Sequence, residues 1–157
     1  MPSRSTAFSP RCHALIPCAG SGSRLPGETP KQYRILLGDC VVQHTVRAFL
    51  QTPQIASVSV VVQPGDSQAA HCLTPDPRLS IVPCGGGTRA HSVLGGLDSL
   101  LQSGAQPTDW ALVHDAARCC ITPALIGALI DACAGDSSGG LLALPLPDTL
   151  KAADTTG

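Results

Sequence analysis

Apolar runs of strand length alternate with stretches of helical period from about residue 13 onward, and this alternation limits the possible folds more than any other feature. The expected strands cover 14–17, 58–62, 79–83, 110–113 and 141–146. The expected helices cover 41–50, 90–101 and a stretch that begins after Thr122. Such alternation requires crossover connections, which build a mostly parallel sheet with helices on both faces. The sequence therefore predicts one α/β domain.

The last of these helices carries signals at both ends. Thr122 can accept a hydrogen bond from a free amide of the first turn, and Pro123 suits the first helical position. Gly135 suits a left-handed residue at the stop. We therefore expect this helix to lie between these residues.

Composition bounds the organisation and the partners. We expect residues 1–12 to form a flexible extension without a periodic apolar pattern, and residues 13–157 to form the domain. The net charge of -1 leaves no general electrostatic footprint for nucleic acid or an anionic membrane surface. No apolar run reaches the roughly 18 residues of a spanning helix. We expect small-molecule partners, no nucleic acid, no membrane and a cytoplasmic location.

Eight cysteines are present, but they form no Cys-x-x-Cys pair and show none of the spacings of a zinc site. Cytosolic thiols are kept reduced by glutathione. We therefore expect reduced, unpaired cysteines, mostly small side chains of the core and the loops, rather than a disulfide framework.

The loop after the first strand favours phosphate binding. Its small residues, Gly20 and Gly22 among them, allow backbone amides to approach an anion closely, and Arg24 and Lys31 bring two cations. An alternative stays open, in which the glycines only form a tight turn and the two cations are solvated. Neither a phosphate-loop motif nor a dinucleotide motif fits, because Leu25 stands where the third glycine of Gly-x-Gly-x-x-Gly would be.

Two more loops follow strands and have unusual composition. Residues 84–92 contain three consecutive glycines before a helix start, where free amides favour electron-rich ligand atoms, although an ordinary strand-to-helix turn would look the same. In the loop 114–118, Asp115 can hold a hard cation such as magnesium, and Arg118 can bind a phosphate. The alternative is an Asp115–Arg118 ion pair that organises the turn. His114 can orient this loop through a hydrogen bond to the backbone.

Five segments together resemble the 2-C-methyl-D-erythritol 4-phosphate cytidylyltransferase family. They are PCAGSGSR at 17–24, PKQY at 30–33, GGGTRAHSV at 85–93, HDAAR at 114–118 and PDTLK at 147–151. The resemblance implies a three-layer Rossmann-like nucleotidyltransferase fold. It also implies transfer of CMP from CTP to 2-C-methyl-D-erythritol 4-phosphate in the non-mevalonate route to isoprenoids, giving 4-diphosphocytidyl-2-C-methyl-D-erythritol and pyrophosphate. Magnesium, or another divalent cation, is the implied cofactor, and a homodimer is the implied assembly of the full-length family member.

The resemblance also implies roles for individual residues. Arg24 and Lys31 would be catalytic, because they would hold the triphosphate and stabilise charge at the α-phosphorus. Asp115 would lie beside the metal and the substrate, and Arg118 and Thr149 would bind the polyol phosphate. The implied nucleotide-binding residues are Cys18, Ala19, Gly20, Gly22, Gly86, Gly87 and Ser92.

The chain departs from the family pattern at a few places. Cys18 stands where alanine is more usual, Gly87 where a polar residue is frequent, and Cys119 where proline commonly follows the arginine. The sequence ends at Gly157, near the start of what resembles a dimerisation arm. We therefore expect an incomplete pocket, weak CTP binding and poor turnover.

Three other functions remain as alternatives at this point. One is a cytidylyltransferase for another polyol phosphate, such as ribitol 5-phosphate, and another is a nucleotide-binding chain with little turnover. The third is a dinucleotide-dependent oxidoreductase. This last function is disfavoured because Gln63 and Pro64, rather than an acidic residue, follow the second strand.

Overall fold

The computed structural model describes residues 10–20 and 29–145, and the fold is a parallel sheet with helices on both faces. The strands are β1 (Cys12–Pro17), β2 (Ile35–Leu36), β3 (Asp39–Cys40), β4 (Ile55–Val61), β5 (Leu79–Val82) and β6 (Trp110–Val113). The helices are α1 (Val41–Leu50), α2 (Ala69–Cys72), α3 (Arg89–Gln102) and α4 (Pro123–Cys133), and a 3-10 turn spans Lys31–Tyr33. The predicted α/β architecture is confirmed.

The main sheet of the described part has the strand order β5-β4-β1-β6, and all three of its pairings are parallel. A small antiparallel pair, β2 with β3, lies outside it. In this order β1 is central, with β4 on one side and β6 on the other. The carboxyl ends of the four strands therefore meet at one edge of the sheet.

Alternation along β1 divides the core between the two faces. Ala14 and Ile16 pack with the buried residues of α1, such as Val42 and Val46. Leu15 points to the opposite face and packs with Val61 of β4 and Leu100 of α3. Because successive side chains of a strand point to opposite faces, this pattern produces three layers, with α1 and α3 on opposite faces of the sheet.

An aspartate joins the amino ends of β1 and β6. The carboxylate of Asp109 accepts hydrogen bonds from the backbone amides of Arg11 and Gln106 and from the guanidinium of Arg11. The ring of His13 lies 3.3 Å from Oδ2 of the same carboxylate. The backbone amide of Gln106, then that of Arg11, holds the pKa of Asp109 well below its ordinary value, against a smaller opposing effect of desolvation. The two strands therefore start from one polar anchor.

The termini of the domain differ in part from the expectations. β1 begins at Cys12, one residue inside the expected extension 1–12, because Cys12 pairs with both neighbouring strands. Residues 1–9 of that extension lie outside the described residues. The strand expected at 141–146 is wrong over its described part, since 141–145 form no ladder, and residue 146 is outside it. An apolar run does not supply the partner strand that a ladder needs, and Leu144 is 92% exposed.

The ends of α4 also give a mixed result. Thr122 accepts a hydrogen bond from the amide of Leu125 at 3.3 Å, and Pro123 is the first helical residue, as predicted. Gly135 is not left-handed, so the predicted stop is wrong. Ala134 keeps a helical backbone with φ of -57°, and the left-handed glycine in this region is Gly139. The left-handed residue after α4 is therefore Gly139 and not Gly135, the first glycine after the helix.

The structure corrects one expectation about the cysteines. Cys40, the last residue of β3, forms a disulfide with Cys72, the last residue of α2, across a Cα–Cα distance of 5.6 Å. Packing of α2 beside β3 brings together two thiols that are 32 residues apart. The other six cysteines are free. No helix within residues 10–20 and 29–145 has both the length and the apolar character needed to cross a membrane.

Two glycines let α3 lie close to the sheet. A Cβ atom on Gly95 would come 2.8 Å from the backbone oxygen of Cys84, and one on Gly96 would come 2.5 Å from Cδ1 of Leu15. Side chains at these positions would push α3 away from β1 and from the loop that follows β5. The start of α3 is therefore held at the edge of the sheet by this close packing.

We expect Gly95→Ala to lower the free energy of unfolding by about 1 to 3 kcal/mol, because the neighbouring atom belongs to the backbone and overpacking has no easy relief. Gly127→Ala in α4 is the matched control. Its Cβ would meet only the side chain of Gln54, at 3.6 and 3.7 Å, so the gain in helix propensity of up to about 1 kcal/mol should remain. Denaturant unfolding of both variants checks this, and equal stabilisation of both would contradict the packing described here.

Candidate nucleotide site at the sheet edge

Three loops follow the carboxyl ends of the strands at one edge of the main sheet. Loop 1, described at 18–20 and 29–34, follows β1, loop 2 (83–88) connects β5 to α3, and loop 3 (114–122) connects β6 to α4. In parallel α/β sheets this edge is where ligands bind. Of the expected site residues, Gly22, Arg24 and Thr149 lie outside the described residues.

Loop 1 is fastened to the sheet and to its own later part. The amide of Cys18 donates a 2.7 Å hydrogen bond to the carbonyl of Val61 in β4. The side-chain amide of Gln32 donates to the carbonyl of Cys18 at 3.1 Å and to that of Gly20 at 2.8 Å. Lys31, the residue before Gln32, is exposed, and its side chain makes no hydrogen bond or ion pair with any residue that the structure describes. Its ammonium group is therefore available to a ligand.

A buried polar chain lies beneath loop 1. The thiol of Cys18 lies 3.6 Å from the hydroxyl of Tyr33, which donates to Asp66 at 2.8 Å. Burial raises the pKa of Cys18 to about 12, against the opposing effect of its hydrogen bond with Tyr33. Burial also raises the pKa of Tyr33 far above its ordinary value, aided by Cys18 and Asp66. Both groups stay protonated at neutral pH, so Cys18 is no nucleophile and only its backbone can serve a nucleotide.

Loops 1 and 2 touch because a glycine stands at their contact. A Cβ on Gly85 would collide with Cβ of Ala19 and would come 2.7 Å from the carbonyl of Val62. The side-chain amide of Gln63 bridges the same loops, because it donates to the carbonyl of Ala19 at 3.1 Å and to that of Gly86 at 3.2 Å. The sequence showed Gln63 only as a missing acidic residue. Its position two residues after the end of β4 was the available signal for this bridging role.

Ser92 and Thr88 shape loop 2 from the start of α3. Thr88 accepts a hydrogen bond from the amide of His91 at 3.1 Å and so caps the helix. The hydroxyl of Ser92 accepts from the amide of Gly86 and donates to the carbonyl of Thr88, both at 3.1 Å. Ser92 is 3% exposed, so its side chain stabilises loop 2 and does not face a ligand. By contrast, a Cβ on Gly87 would meet no atom within 4 Å, which leaves open space at this point.

Loop 3 holds a carboxylate between two guanidinium groups. Oδ1 of Asp115 lies 2.9 Å from Nε of Arg89, and Oδ2 lies 2.8 Å from Nε of Arg118. Partial burial raises the pKa of Asp115, but the hydrogen bonds from Arg89 and Arg118 outweigh it and leave the pKa below its ordinary value. The ring of His114 lies 3.0 Å from the carbonyl of Arg118, as expected. The alternative ion pair between Asp115 and Arg118 is therefore present, and Arg89 joins it.

These ion pairs do not exclude a ligand. The side chains of Arg89 and Arg118 are 60% and 76% exposed, and exposed pairs contribute only about 0 to 1 kcal/mol. A phosphate could therefore replace the carboxylate as the partner of either guanidinium. Arg89 lies in a segment that carried the family resemblance, but the sequence did not indicate its contact with Asp115, 26 residues further along the chain.

The donor set around Asp115 suits magnesium only if phosphates supply the other ligands. Within the described residues no group of three or more His, Cys, Asp or Glu side chains could hold a metal ion. Each oxygen of Asp115 accepts one N–H donor, which leaves a second lone pair on each. Magnesium commonly binds one or two carboxylates together with substrate phosphates and water. Asp115 therefore fits a metal that arrives with a nucleotide.

A cavity of about 620 Å³ opens beside loop 3. Its lining includes Arg89, Asp115 and Arg118, together with apolar side chains of β6 and α4 such as Ile126 and Leu129. Among the described residues, none from loop 1 or loop 2 lines it. The site therefore has one region between loops 1 and 2 and another beside loop 3, and Arg89 lies next to both.

Asp66 bears on the oxidoreductase alternative. Its Oδ1 accepts hydrogen bonds from the amides of Gln68 and Ala69, both at 2.9 Å, and its Oδ2 accepts from Tyr33. Both carboxylate oxygens are thus used inside the protein. The acidic residue nearest the end of β4 in the sequence is therefore not available as a ribose ligand.

Comparisons with known proteins agree with this geometry. The family described as IspD: 2-C-methyl-D-erythritol 4-phosphate cytidylyltransferase matches residues 12–157. A bifunctional enzyme IspD/IspF of Albidiferax ferrireducens is 58% identical over 142 residues, which are 90% of this chain and 34% of that protein. A 2-C-methyl-D-erythritol 4-phosphate cytidylyltransferase of Laribacter hongkongensis is 50% identical over 142 residues, 90% of this chain and 60% of that protein. The chain thus spans about one third to three fifths of the length of these relatives.

Solved structures give the same result. The chain is similar to a crystal structure of 4-diphosphocytidyl-2C-methyl-D-erythritol synthase with a TM-score of 0.82 and 36% identity, covering 96% of this chain and 67% of that one. It is also similar to the Francisella tularensis 2-C-methyl-D-erythritol 4-phosphate cytidylyltransferase, with a TM-score of 0.72 and 26% identity. That match covers 93% of this chain and 63% of the other. The expected nucleotidyltransferase fold is confirmed.

We expect Ser92→Ala to destabilise the protein because it leaves the amide of Gly86 without its partner. Ser99→Ala is the matched control, since Ser99 lies in the same helix and its hydroxyl makes no hydrogen bond with a described residue. Both variants gain the same helix propensity, so their difference isolates the hydrogen bonds of Ser92. We expect Ser92→Ala to be less stable by about 1 to 3 kcal/mol in denaturant unfolding. Equal stability of the two variants would mean that Ser92 does not hold loop 2.

Proposed function

Because this chain belongs to the 2-C-methyl-D-erythritol 4-phosphate cytidylyltransferase family, we propose that it carries out cytidylyl transfer from CTP to 2-C-methyl-D-erythritol 4-phosphate. The products are 4-diphosphocytidyl-2-C-methyl-D-erythritol and pyrophosphate. One observation carries the proposal. Lys31 is an exposed cation on a turn that Gln32 fastens to the carbonyl of Gly20, the residue after Ala19, which lies against Gly85 of loop 2.

The reaction needs no general base. A phosphate monoester has a second pKa of about 6, so the attacking oxygen is mostly ionised at neutral pH. That oxygen forms a bond to the α-phosphorus of CTP, and the bond between this phosphorus and the oxygen bridging to the β-phosphorus breaks. Pyrophosphate leaves with the bonding electrons. Catalysis then depends on holding two phosphates in line and on placing positive charge where negative charge accumulates.

The proposal assigns Lys31 and Arg24 to the triphosphate, where they would counter this charge. The nucleoside would lie between loops 1 and 2, against the backbone of Cys18, Ala19 and Gly86, with room at Gly87. Backbone groups suit this role here, because the side chains of Cys18 and Ser92 are buried in contacts of their own. Gly20 and Gly22 would let loop 1 approach the phosphates, and Ser92 would act by shaping loop 2.

The polyol phosphate would bind beside loop 3, where Arg118 offers an exposed guanidinium and Thr149 is assigned by the resemblance alone. Magnesium is part of the proposal, with Asp115 as the residue that would hold it. When bound, the metal would neutralise charge on the triphosphate. Asp115 and the two neighbouring guanidinium groups would also orient the attacking phosphate toward the nucleotide.

The assembly and the compartment are proposed as well. The homodimer follows from the family resemblance, and sedimentation of the chain at several concentrations tests it. The cytoplasm is supported by six free thiols among the cysteines, which suit a reducing compartment. The Cys40–Cys72 disulfide is the exception, and alkylation of the two thiols in fresh lysate measures how much of it is present in cells.

The experiment that tests the function is pyrophosphate release from CTP with 2-C-methyl-D-erythritol 4-phosphate, compared with ribitol 5-phosphate. Release with the methylerythritol substrate in preference to the ribitol one supports the proposal. Preference for ribitol 5-phosphate would replace the proposed substrate, and absence of CTP binding in equilibrium dialysis would overturn the proposal as a whole.

We expect Lys31→Ala to lower turnover by about 10² to 10³-fold, as removal of one preorganised contact to developing charge does. Arg24→Ala should act in the same direction. Arg47→Ala is the control, because Arg47 is also a partly exposed cation but pairs with Asp39 outside loops 1 to 3. It should keep nearly full turnover. Thermal unfolding of all three variants separates loss of function from loss of fold, and normal turnover of Lys31→Ala would remove Lys31 from the site.

A further inference from the structure

The turn that carries Lys31 has little to hold it in place by itself. It is a 3-10 turn of three residues, with one hydrogen bond of 2.9 Å from Tyr33 to Pro30 and one of 3.3 Å from Arg34 to Lys31. Such short turns have poor hydrogen-bond geometry. No side chain caps this one. The position of Lys31 therefore depends on contacts made by the neighbouring residues.

Those neighbours face the opposite way from Lys31. Gln32 and Tyr33 are 7% and 5% exposed, whereas Lys31 is exposed. The amide of Gln32 holds two carbonyls of loop 1, those of Cys18 and Gly20. The backbone amide of Cys18 in turn donates a hydrogen bond to the carbonyl of Val61 in β4. Gln32 thus ties the turn to the central sheet through one short path.

Tyr33 supplies a second attachment, through Asp66. Its hydroxyl donates to Asp66, whose other oxygen accepts the amides of Gln68 and Ala69 at the start of α2. The thiol of Cys18 lies against the same hydroxyl. Every buried polar side-chain atom among the described residues has a partner, so this network is complete. Because Cys18, Gln32 and Tyr33 are buried, an alternative arrangement of their side chains would leave a buried polar group unpaired.

From this arrangement we infer that Gln32 and Tyr33 are positioning residues for Lys31. They hold the ammonium-bearing turn and the nucleotide-facing backbone of loop 1 as one unit. The inference rests on the proposed function and deepens it, since it states how a flexible lysine keeps its place at the triphosphate. Lys carries a long side chain with several rotatable bonds, so a fixed backbone limits the number of positions that its ammonium group can occupy. A displacement of about 1 Å at a reacting group can cost about 10²-fold in rate.

Two conservative variants test the inference. Tyr33→Phe removes only the hydroxyl, and Gln32→Met removes both N–H donors at similar size. Thr52→Val is the matched control, because Thr52 is 1% exposed and donates a buried 2.9 Å hydrogen bond to Ala48, before the start of β4 and away from loops 1 to 3. Each variant is measured for thermal unfolding, for CTP affinity by equilibrium dialysis, and for kcat and KM in pyrophosphate release.

We expect kcat to fall by about 10 to 10²-fold in Tyr33→Phe and Gln32→Met, with thermal unfolding shifted no more than in Thr52→Val. The control should keep its kcat. The same changes are then made in the Lys31→Ala background, where they should add little to the loss, because residues that act through Lys31 have nothing left to position. The CTP affinities of the same single and double variants give a second measurement of the coupling between Tyr33 or Gln32 and Lys31.

Three outcomes would overturn the inference. Full additivity of Tyr33→Phe and Lys31→Ala would show that Tyr33 acts independently of the lysine. Equal loss of kcat in Thr52→Val would show that the effect reports stability alone. If the unsubstituted chain neither binds CTP nor releases pyrophosphate, the proposed function fails and the inference falls with it, a result distinct from the other two.

Discussion

Parallel pairing of β1 on both of its edges is the constraint on which the remaining structure depends. Cys12 to Leu15 pair with Trp110 to Val113 on one side, while β1 as a whole pairs with β4 on the other. Because all the strands run the same way, loops 1, 2 and 3 emerge at one edge although they are far apart in sequence. Asp109 strengthens this arrangement at the opposite edge, where it ties the starts of β1 and β6 together. The placement of the candidate site follows from the direction of four strands.

The contacts at this edge differ in how firmly they hold. Loops 1 and 2 are joined by close packing at Gly85 and by the side-chain amide of Gln63, and the buried hydroxyl of Ser92 holds loop 2 from the start of α3. The packing at Gly85 and the hydrogen bonds of Ser92 cannot be exchanged for a ligand without opening the packing or leaving a polar group unpaired. The ion pairs of Asp115 are different, because both guanidinium groups are largely exposed to water. The structure thus combines a firm region suited to a nucleotide with an exchangeable one suited to a second phosphate.

Local patterns in the sequence predicted the regular elements well. The helix at 41–50 has the predicted bounds, and Thr122 caps α4 as expected, because both depend on interactions within one turn. The stop at Gly135 was a local prediction that was wrong, but two other wrong predictions concerned contacts with residues far along the chain. The stretch 141–145 has the composition of a strand but no ladder, and Cys40 and Cys72 pair only because α2 packs beside β3. The spacing of residues along a chain does not show which distant segments will come into contact.

The sequence by itself determined the class of fold, the loops that matter and the family, because hydrophobic period, glycine content and charge are local properties that can be read along the chain. Only the tertiary structure decided which side chains hold these loops in place through hydrogen bonds and ion pairs. Gln63 bridges two carbonyls, Arg89 reaches Asp115 across 26 residues, and Tyr33 meets both Cys18 and Asp66. The physical reason is that a hydrogen bond depends on distances of about 3 Å in space, and these are set by how the strands and helices pack.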